Sequence, residues 1–358
     1  MNISTGDTDM TRITSANYAG CLLGGAIGDA LGWAVEFSSL NEIRRKFGPK
    51  GIEDFAEAPG GIGAITDDTQ MTLFTTEGLL HARSAGAFKH HEACISYVHS
   101  AYLRWLATQG GLQGEQLSTV RSGGGLVNIP DLNVRRAPGN TCISALTTCS
   151  VGTIDSPLND SKGCGGVMRV APVGLLYASL MNGSGYEKGL GDSFELGCRL
   201  AAITHGHPSG YLSAGAFAAI IFGISRGKTL MESIRDARSV LVQWPGHEEC
   251  LELLDLAVIL KESSAASSPE SIAMIGEGWT GEEALAIGVY SALAAEGDFS
   301  KGVRLAVNHD GDSDSTGSIT GNILGLLLGK ESIPDGWRER VELKDLIERS
   351  GQLLAIAE

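Results

Sequence analysis

Apolar residues recur at helical spacing along most of this chain, and glycine is the usual punctuation between the periodic stretches. Stretch 18–36 carries small and apolar residues on most faces, which predicts a helix buried all round. Amphipathic helices are predicted over 69–83 and 88–106, with a short one over 141–149. Three more follow at 167–181, 189–203 and 209–225, then others at 229–242, 249–261, 282–295 and 299–307. Stretch 316–329 is again small and apolar on every side, hence buried, and 343–356 closes the chain. The polar, Gly-rich 108–125 and the Ser/Ala/Pro-rich 263–271 read as loops, the second too short for a domain linker. Period-two alternation over several strands, a βαβ pattern and a fixed-period repeat are all missing from the pattern. The expectation is one all-α domain over 16–358, preceded by a polar extension over 1–15.

Composition sharpens this in two ways. Aromatics are 6% of the chain while glycines number 49, so the core is built of small residues, which suits closely packed helices. A chain of 358 residues that is 43% hydrophobic and 19% charged has the balance of a globular enzyme, with a sizeable core, rather than of a disordered chain. The formal charge of −15, without a Lys/Arg cluster, argues against a nucleic-acid partner. Arg44-Arg45-Lys46 and Arg135-Arg136 read as solvated surface. Seven cysteines without a CxxC pair read as reduced, partly buried thiols. The first fifteen residues lack the basic start and apolar core of a signal peptide. The longest apolar run is placed near 323–328, far short of the roughly 20 residues that span a bilayer. A cytoplasmic protein with no membrane partner is expected.

Two acidic motifs carry the candidate chemistry. Thr66-Asp67-Asp68-Thr69 opens the amphipathic helix that follows the turn-rich Pro59-Gly60-Gly61-Ile62-Gly63. One Asp there would be explained by capping and by the helix dipole, but two adjacent Asp flanked by Thr exceed what a cap needs. Asp310-Gly311-Asp312-Ser313-Asp314-Ser315 precedes the second buried helix. Three alternating Asp repel one another unless cations neutralise them, and oxygen-only donors select hard ions. An EF-hand loop starting at Asp310 fails, because its sixth position would be Ser315 instead of Gly and its twelfth Gly321 instead of Glu. By themselves the two motifs justify a hard-metal site built on helix starts.

The pair resembles the signature of the ADP-ribosylglycohydrolase family, which includes the dinitrogenase-reductase-activating glycohydrolases. The Thr-Asp-Asp-Thr motif matches Thr66 to Thr69, and Gly-Asp-x-Asp-Ser/Thr matches Gly311 to Ser315. Gly20-Cys21-Leu22-Leu23-Gly24-Gly25-Ala26-Ile27-Gly28-Asp29-Ala30-Leu31-Gly32 is similar to the family's opening helix and leads to Glu36. Ser161-Lys162-Gly163-Cys164-Gly165-Gly166-Val167-Met168-Arg169 resembles its Gly-rich substrate loop, and Thr204-His205 starts a further matching segment. The order and spacing of these motifs, more than any one of them, carry the resemblance.

The resemblance implies a compact multi-helix bundle with a binuclear metal site. Its ligands would be Thr66, Asp67, Asp68, Asp312, Asp314 and Ser315, holding two divalent ions, Mg²⁺ first and Mn²⁺ as the alternative. The substrate side would comprise Ser161, Lys162, Gly163, Cys164, Gly165, Gly166, Met168 and His205. On the residues alone, an ordinary Gly-rich turn fits the loop equally, and a lone His is more often structural. Cys164 departs from the Asn frequent at its position in the family, which leaves the side-chain contact there open. Asp29, His207 and His309 read as structural hydrogen-bonding residues. Glu36 matches a residue on a mobile segment over the metals.

The activity implied is hydrolysis of the bond joining ribose C1″ of ADP-ribose to a protein side chain, with arginine preferred. The Asp312-Ser313-Asp314-Ser315 wording resembles the arginine-directed branches. Asp68 or Glu36 would assist proton transfer. The partners implied are an ADP-ribosylated protein substrate and, if the chain is an immunity protein, a cognate ADP-ribosyltransferase toxin. Two other readings stay open: a non-catalytic module that binds ADP-ribose or a toxin, and a metal-dependent phosphoryl hydrolase.

Overall fold

The structure is a computed structural model and describes residues 13–123, 125–181, 185–263 and 267–356. The extension expected over 1–15 lies almost wholly outside the described residues. Among these, the chain is helical and no strand forms; the one β-type pairing is an isolated bridge between Gly163 and Thr280. The N-terminal helices are α1 (Ser15–Trp33), α2 (Leu40–Phe47), α3 (Asp67–Ser84), α4 (His91–Thr108), α5 (Gly114–Ser122) and α6 (Asn140–Thr147). The middle of the chain gives α7 (Ala171–Leu180), α8 (Tyr186–Ala202), α9 (Pro208–Ser225), α10 (Leu230–Leu241), α11 (Glu248–Glu262) and the one-turn α12 (Pro269–Ile272). The remainder gives α13 (Gly281–Ala294), α14 (Phe299–Val307), α15 (Ser313–Leu328), the short α16 (Asp335–Arg338) and α17 (Lys344–Leu354).

The centre of the molecule is the antiparallel pair α1 and α15, the most extensive helix–helix contact in the fold. Glycines make that contact possible. A Cβ on Gly20 would lie 2.4 Å from the Gly325 carbonyl oxygen, one on Gly24 2.2 Å from that of Gly321, and one on Gly28 1.9 Å from that of Gly317. Gly32 meets the Ser313 carbonyl in the same way, at 2.2 Å. The four-residue step repeats on both helices, so one glycine edge of α1 lies flat against one of α15. Asn17 and Asn322 add cross-helix bonds, to the Leu326 carbonyl at 2.9 Å and the Cys21 carbonyl at 2.8 Å. The pairing sets the C-terminal end of α1 beside the N-terminal end of α15.

The other helices pack around this pair. Helices α13 and α14 cover α15, α17 covers α1, and α3 packs on α4. Helix α9 is surrounded by α7, α8, α10 and α13. It is long and apolar enough to cross a membrane by length and composition, so the longest apolar stretch lies here and not near 323–328; 89% of it is buried inside the fold.

Several boundaries differ from the expected ones for identifiable reasons. Helix α1 ends at Trp33, because the amides of Val35 and Glu36 both turn back to the Gly32 carbonyl and Phe37 takes a positive φ of 64°. The predicted 167–181 helix starts only at Ala171, after a 3-10 turn over Cys164–Gly166, with Pro172 in its first turn. Helix α5 forms inside the stretch read as loop and buries no residue, so it leaves no apolar period. Helix α2 buries only Ile43 and is defined by its capping box, Ser39 with Glu42. Arg136, expected at the surface, is 7% exposed, pairs with Glu342 at 2.8 Å and lies over the Trp33 ring. All seven cysteines are free.

Candidate active site

The two acidic motifs meet. Thr66 is the N-cap of α3, its hydroxyl accepting the Asp68 amide at 3.2 Å, which puts Asp67 and Asp68 in the first helical turn. Asp312 caps α15 by accepting the Ser315 amide at 3.2 Å, which puts Asp314 and Ser315 in that helix's first turn. Both helices therefore aim their positive ends at one place, and this favours carboxylates there. Asp29, on α1, fixes the first motif from beneath. It accepts the amides of Thr66 and Thr69, each at 3.1 Å, and the Thr69 hydroxyl. The structural role expected of Asp29 is what the structure shows.

A cavity of about 360 Å³ is lined by Glu36, Asp67, Asp68, Asp312, Asp314 and Ser315 on one side and by Gly163, Cys164, Gly165, Met168 and His205 on the other. Thr66, Ser161, Lys162 and Gly166 do not line it. The Thr66 hydroxyl caps α3, accepting the Asp68 amide with one of its two lone pairs. The Ser161 hydroxyl pairs with that of Thr141 at 3.1 Å and receives the Gly163 amide. Lys162 points away, ion-paired with Glu249 and Glu282 at 2.9 Å each. Gly166 packs instead against Ala201 and the Gly210 carbonyl.

Each of Thr66, Asp67, Asp68, Asp312, Asp314 and Ser315 is at most 5% exposed. Crowding of buried carboxylates is costly unless protons or cations neutralise them. The carboxyls respond accordingly. Burial, reinforced by Asp312, Asp67 and Asp29, pushes Glu36 up to about 8. Burial raises Asp67 to about 8 although the Gly139 amide, at 3.2 Å, holds it down. Asp68 and Asp314 are driven well above the usual carboxylate range, first by burial and then by their acidic neighbours. Asp68 Oδ2 and Glu36 Oε2 are buried without a hydrogen-bond partner. Among the described residues no group of three His, Cys, Asp or Glu side chains is arranged to hold a metal ion as it stands. The geometry is thus an acidic cavity wall with free oxygens, and its all-oxygen donor chemistry fits a hard cation.

Opposite this wall, His205 is 2% exposed and its Nδ1 lies 2.9 Å from the Thr204 hydroxyl. Arg169 donates Nη2 to that same hydroxyl at 2.7 Å. The Thr204 hydroxyl also reaches the Ala201 carbonyl at 3.4 Å, so Arg169, Thr204 and His205 form one buried network. Burial, with Arg169 nearby, lowers His205 to about 3 and keeps it neutral. Nε2 faces the Gly-rich loop: a Cβ on Gly163 or Gly165 would lie 3.4 or 3.3 Å from it. Cys164 donates its thiol to Asp312 Oδ2 at 2.7 Å, which links loop and acidic wall. His207 caps α9 through its Nδ1, and His309 bonds the Thr316 hydroxyl, both structural as expected.

Sequence reasoning missed part of the lining. Ala137, Pro138, Gly139, Asn140, Thr141 and Cys142 form a wall beside Asp67, and their signal was a Pro-Gly-Asn turn leading into a short helix. Phe37 and Trp279 also line the cavity, stacked with ring centroids 5.1 Å apart. A larger cavity, about 870 Å³, includes Arg83, His91, Tyr177 and Glu195. There His91 bonds Tyr177 at 2.7 Å and lies 3.4 Å from Glu195, while Arg199 takes Glu195 at 2.8 Å. The smaller cavity brings together both acidic motifs, the Gly-rich loop and His205, and it is the candidate active site.

The site is thus an acidic cavity in an all-helical domain, with a Gly-rich loop and a buried neutral His in its lining. The ADP-ribosylglycohydrolase family model matches residues 10–358, and the chain belongs to that family. It is 23% identical over 348 residues to the ADP-ribosyl-[dinitrogen reductase] glycohydrolase of Rhodospirillum rubrum, covering 94% of this chain and 95% of that protein. It is 26% identical to ADP-ribosylhydrolase ARH3 of Mus musculus, covering 91% and 88%. A solved ADP-ribosylglycohydrolase-related protein complex superposes with a TM-score of 0.61 at 24% identity, over 95% of this chain and 97% of that one, which speaks to the fold.

Proposed function

We propose that this protein hydrolyses the bond between ribose C1″ of ADP-ribose and a modified protein side chain, arginine in preference to serine. The observation that carries the reading is one cavity lined by both acidic helix starts, the Gly-rich loop and His205. Thr66, Asp67, Asp68, Asp312, Asp314 and Ser315 would hold two divalent cations, Mg²⁺ first and Mn²⁺ as the alternative. The free Asp68 Oδ2 and the hard oxygen donors support that ligand set. When bound, such ions orient ribose hydroxyls and lower the pKa of a water.

The chain's own groups do the rest. Glu36 stands outside the ligand set and keeps a free Oε2, so it is the carboxyl left to move a proton at the leaving atom. His205 presents Nε2, and the Gly163–Gly165 backbone allows close approach, to the diphosphate side of the substrate. Oxocarbenium character develops at C1″ as the bond breaks, and Glu36, the lining carboxyl outside the ligand set, becomes an anion beside it as it gives up its proton. Undoing a toxin's ADP-ribosylation would use this chemistry without any direct contact with the toxin.

Product analysis tests the proposal. ADP-ribose and unmodified arginine are expected from an ADP-ribosyl-arginine protein. AMP would point to phosphoryl hydrolysis instead, and binding without product to a silent module.

A further inference from the structure

Phe37 is an unusual residue for its place. It is 74% exposed, it sits at a positive φ of 64°, and it directly follows Glu36. A bulky non-glycine residue there holds backbone strain while leaving an aromatic ring in water. Its ring stacks on Trp279, at 5.1 Å and 23° between planes. Trp279 is itself fixed from three directions. Its indole N–H donates to Glu277 at 3.2 Å, and its carbonyl accepts the Cys164 amide at 3.1 Å. The preceding Glu277 carbonyl accepts the Asp312 amide at 2.8 Å. The 277–279 segment thus ties the aromatic pair to both walls of the cavity, and both rings line it.

The surroundings select what such a face would hold. Carboxylates share this cavity with the pair: Glu277 accepts the Trp279 indole, and Glu36 and Asp312 line the same cavity. An aromatic face among carboxylates favours a planar, weakly hydrated cation and disfavours an anion. The diphosphate side of a substrate has its own donors across the cavity, at the Gly-rich loop and His205. Resting on the reading of an ADP-ribosyl-arginine substrate, we infer that the Phe37–Trp279 pair is the stacking platform for the guanidinium of the scissile arginine, and so sets the linkage preference. Glu36, beside the platform, then lies next to the nitrogen that must receive a proton when the C1″–N bond breaks. The electrons of that bond stay on the guanidine nitrogen, water supplies the oxygen at C1″, and no oxidant is required.

The test uses the full chain with Phe37→Leu, Trp279→Leu and the conservative Trp279→Phe. Three quantities are measured: kcat/KM for free ADP-ribosyl-arginine, inhibition by arginine against its neutral analogue citrulline, and inhibition by ADP-ribose. Wild type should prefer arginine to citrulline. Both Leu variants should lose that preference and about two- to fivefold in kcat/KM, the scale of a solvent-exposed cation–π contact. Inhibition by ADP-ribose should stay within twofold, and Trp279→Phe should recover most of the loss. Leu variants that keep the arginine preference, or weaken ADP-ribose equally, overturn the role given to the pair. No release from ADP-ribosyl-arginine by wild type removes the substrate reading itself, and the platform with it.

Discussion

Gly28 and Gly317 meet backbone to backbone, so closely that a Cβ on Gly28 would stand 1.9 Å from the Gly317 carbonyl oxygen. The obstacle is backbone, which cannot swing aside as a side-chain tip could. Gly28→Ala must therefore push α1 off α15 and is expected to cost at least about 2 kcal/mol. Gly191 in α8 is the control, because a Cβ there meets nothing within 4 Å. Gly191→Ala should stabilise by about 0.5–1 kcal/mol through helix propensity. Denaturant unfolding of both variants checks the contrast, and equal effects would refute the seam.

Because the seam aligns the end of α1 with the start of α15, the acidic wall is built by the packing of the core. The wall's charge should then limit stability when no cation is present. Asp68→Asn and Asp314→Asn are expected to unfold at or above the wild-type temperature in chelator, since each removes one carboxylate from a crowded, buried set. The same variants should lose more than about a hundredfold in ADP-ribose release, the scale of losing a preorganised electrostatic contact. Near-wild-type turnover in either would contradict the proposed mechanism.

Stability without metal should also depend on pH in a definite direction. Glu36 and Asp67 sit at about 8 in the folded chain, raised chiefly by burial, against ordinary values near 4. Over the interval between, the folded state holds protons that the unfolded chain has released. Their contribution is complete below about pH 4 and disappears as pH rises through about 8. Metal-free protein should lose stability progressively from about pH 4 to about pH 8 and level off above it, and Mg²⁺ should flatten the slope by taking over from the protons. Thermal unfolding across that range, in EDTA and in Mg²⁺, measures it; parallel curves would count against cation binding in the cluster.

Thr204 holds both Arg169 and His205 through one hydroxyl. Thr204→Val leaves a buried guanidinium donor without that partner and should cost about 1–3 kcal/mol. It also removes the partner that holds the His205 ring at Nδ1, so KM should rise about tenfold with a smaller change in kcat. His205, lowered to about 3 by burial, stays neutral through the physiological range. Accordingly, scaled pH–rate profiles of wild type and His205→Gln should superimpose above pH 5. A wild-type inflection near pH 6.5 that vanishes in the variant would show a titrating His205.

The helices were legible in the sequence where they bury a face and illegible where they do not. Helices α9 and α15 announce themselves by apolar content, whereas α5 buries nothing and left only polar residues to read. Asp67, Asp68, Asp312, Asp314 and Ser315 were legible as candidate lining because each motif is local to one helix start, and Thr66 at the same start caps α3. Features that join distant segments were not. Lys162 reads as part of the Gly-rich loop until Glu249 and Glu282 turn it away. Phe37 carries no signal until the fold brings Trp279 to its ring. Arg136 reads as surface until Glu342 and Trp33 cover it.

The most direct test is release of ADP-ribose from an arginine-ADP-ribosylated protein by the wild-type chain, assayed in Mg²⁺, after EDTA, and after Mg²⁺ is restored. Release that stops with chelator, returns with Mg²⁺ and is absent from Asp314→Asn under all three conditions is the expected result. Release that is undiminished in EDTA, or a product other than ADP-ribose, would contradict a cation-assisted ADP-ribosyl hydrolase.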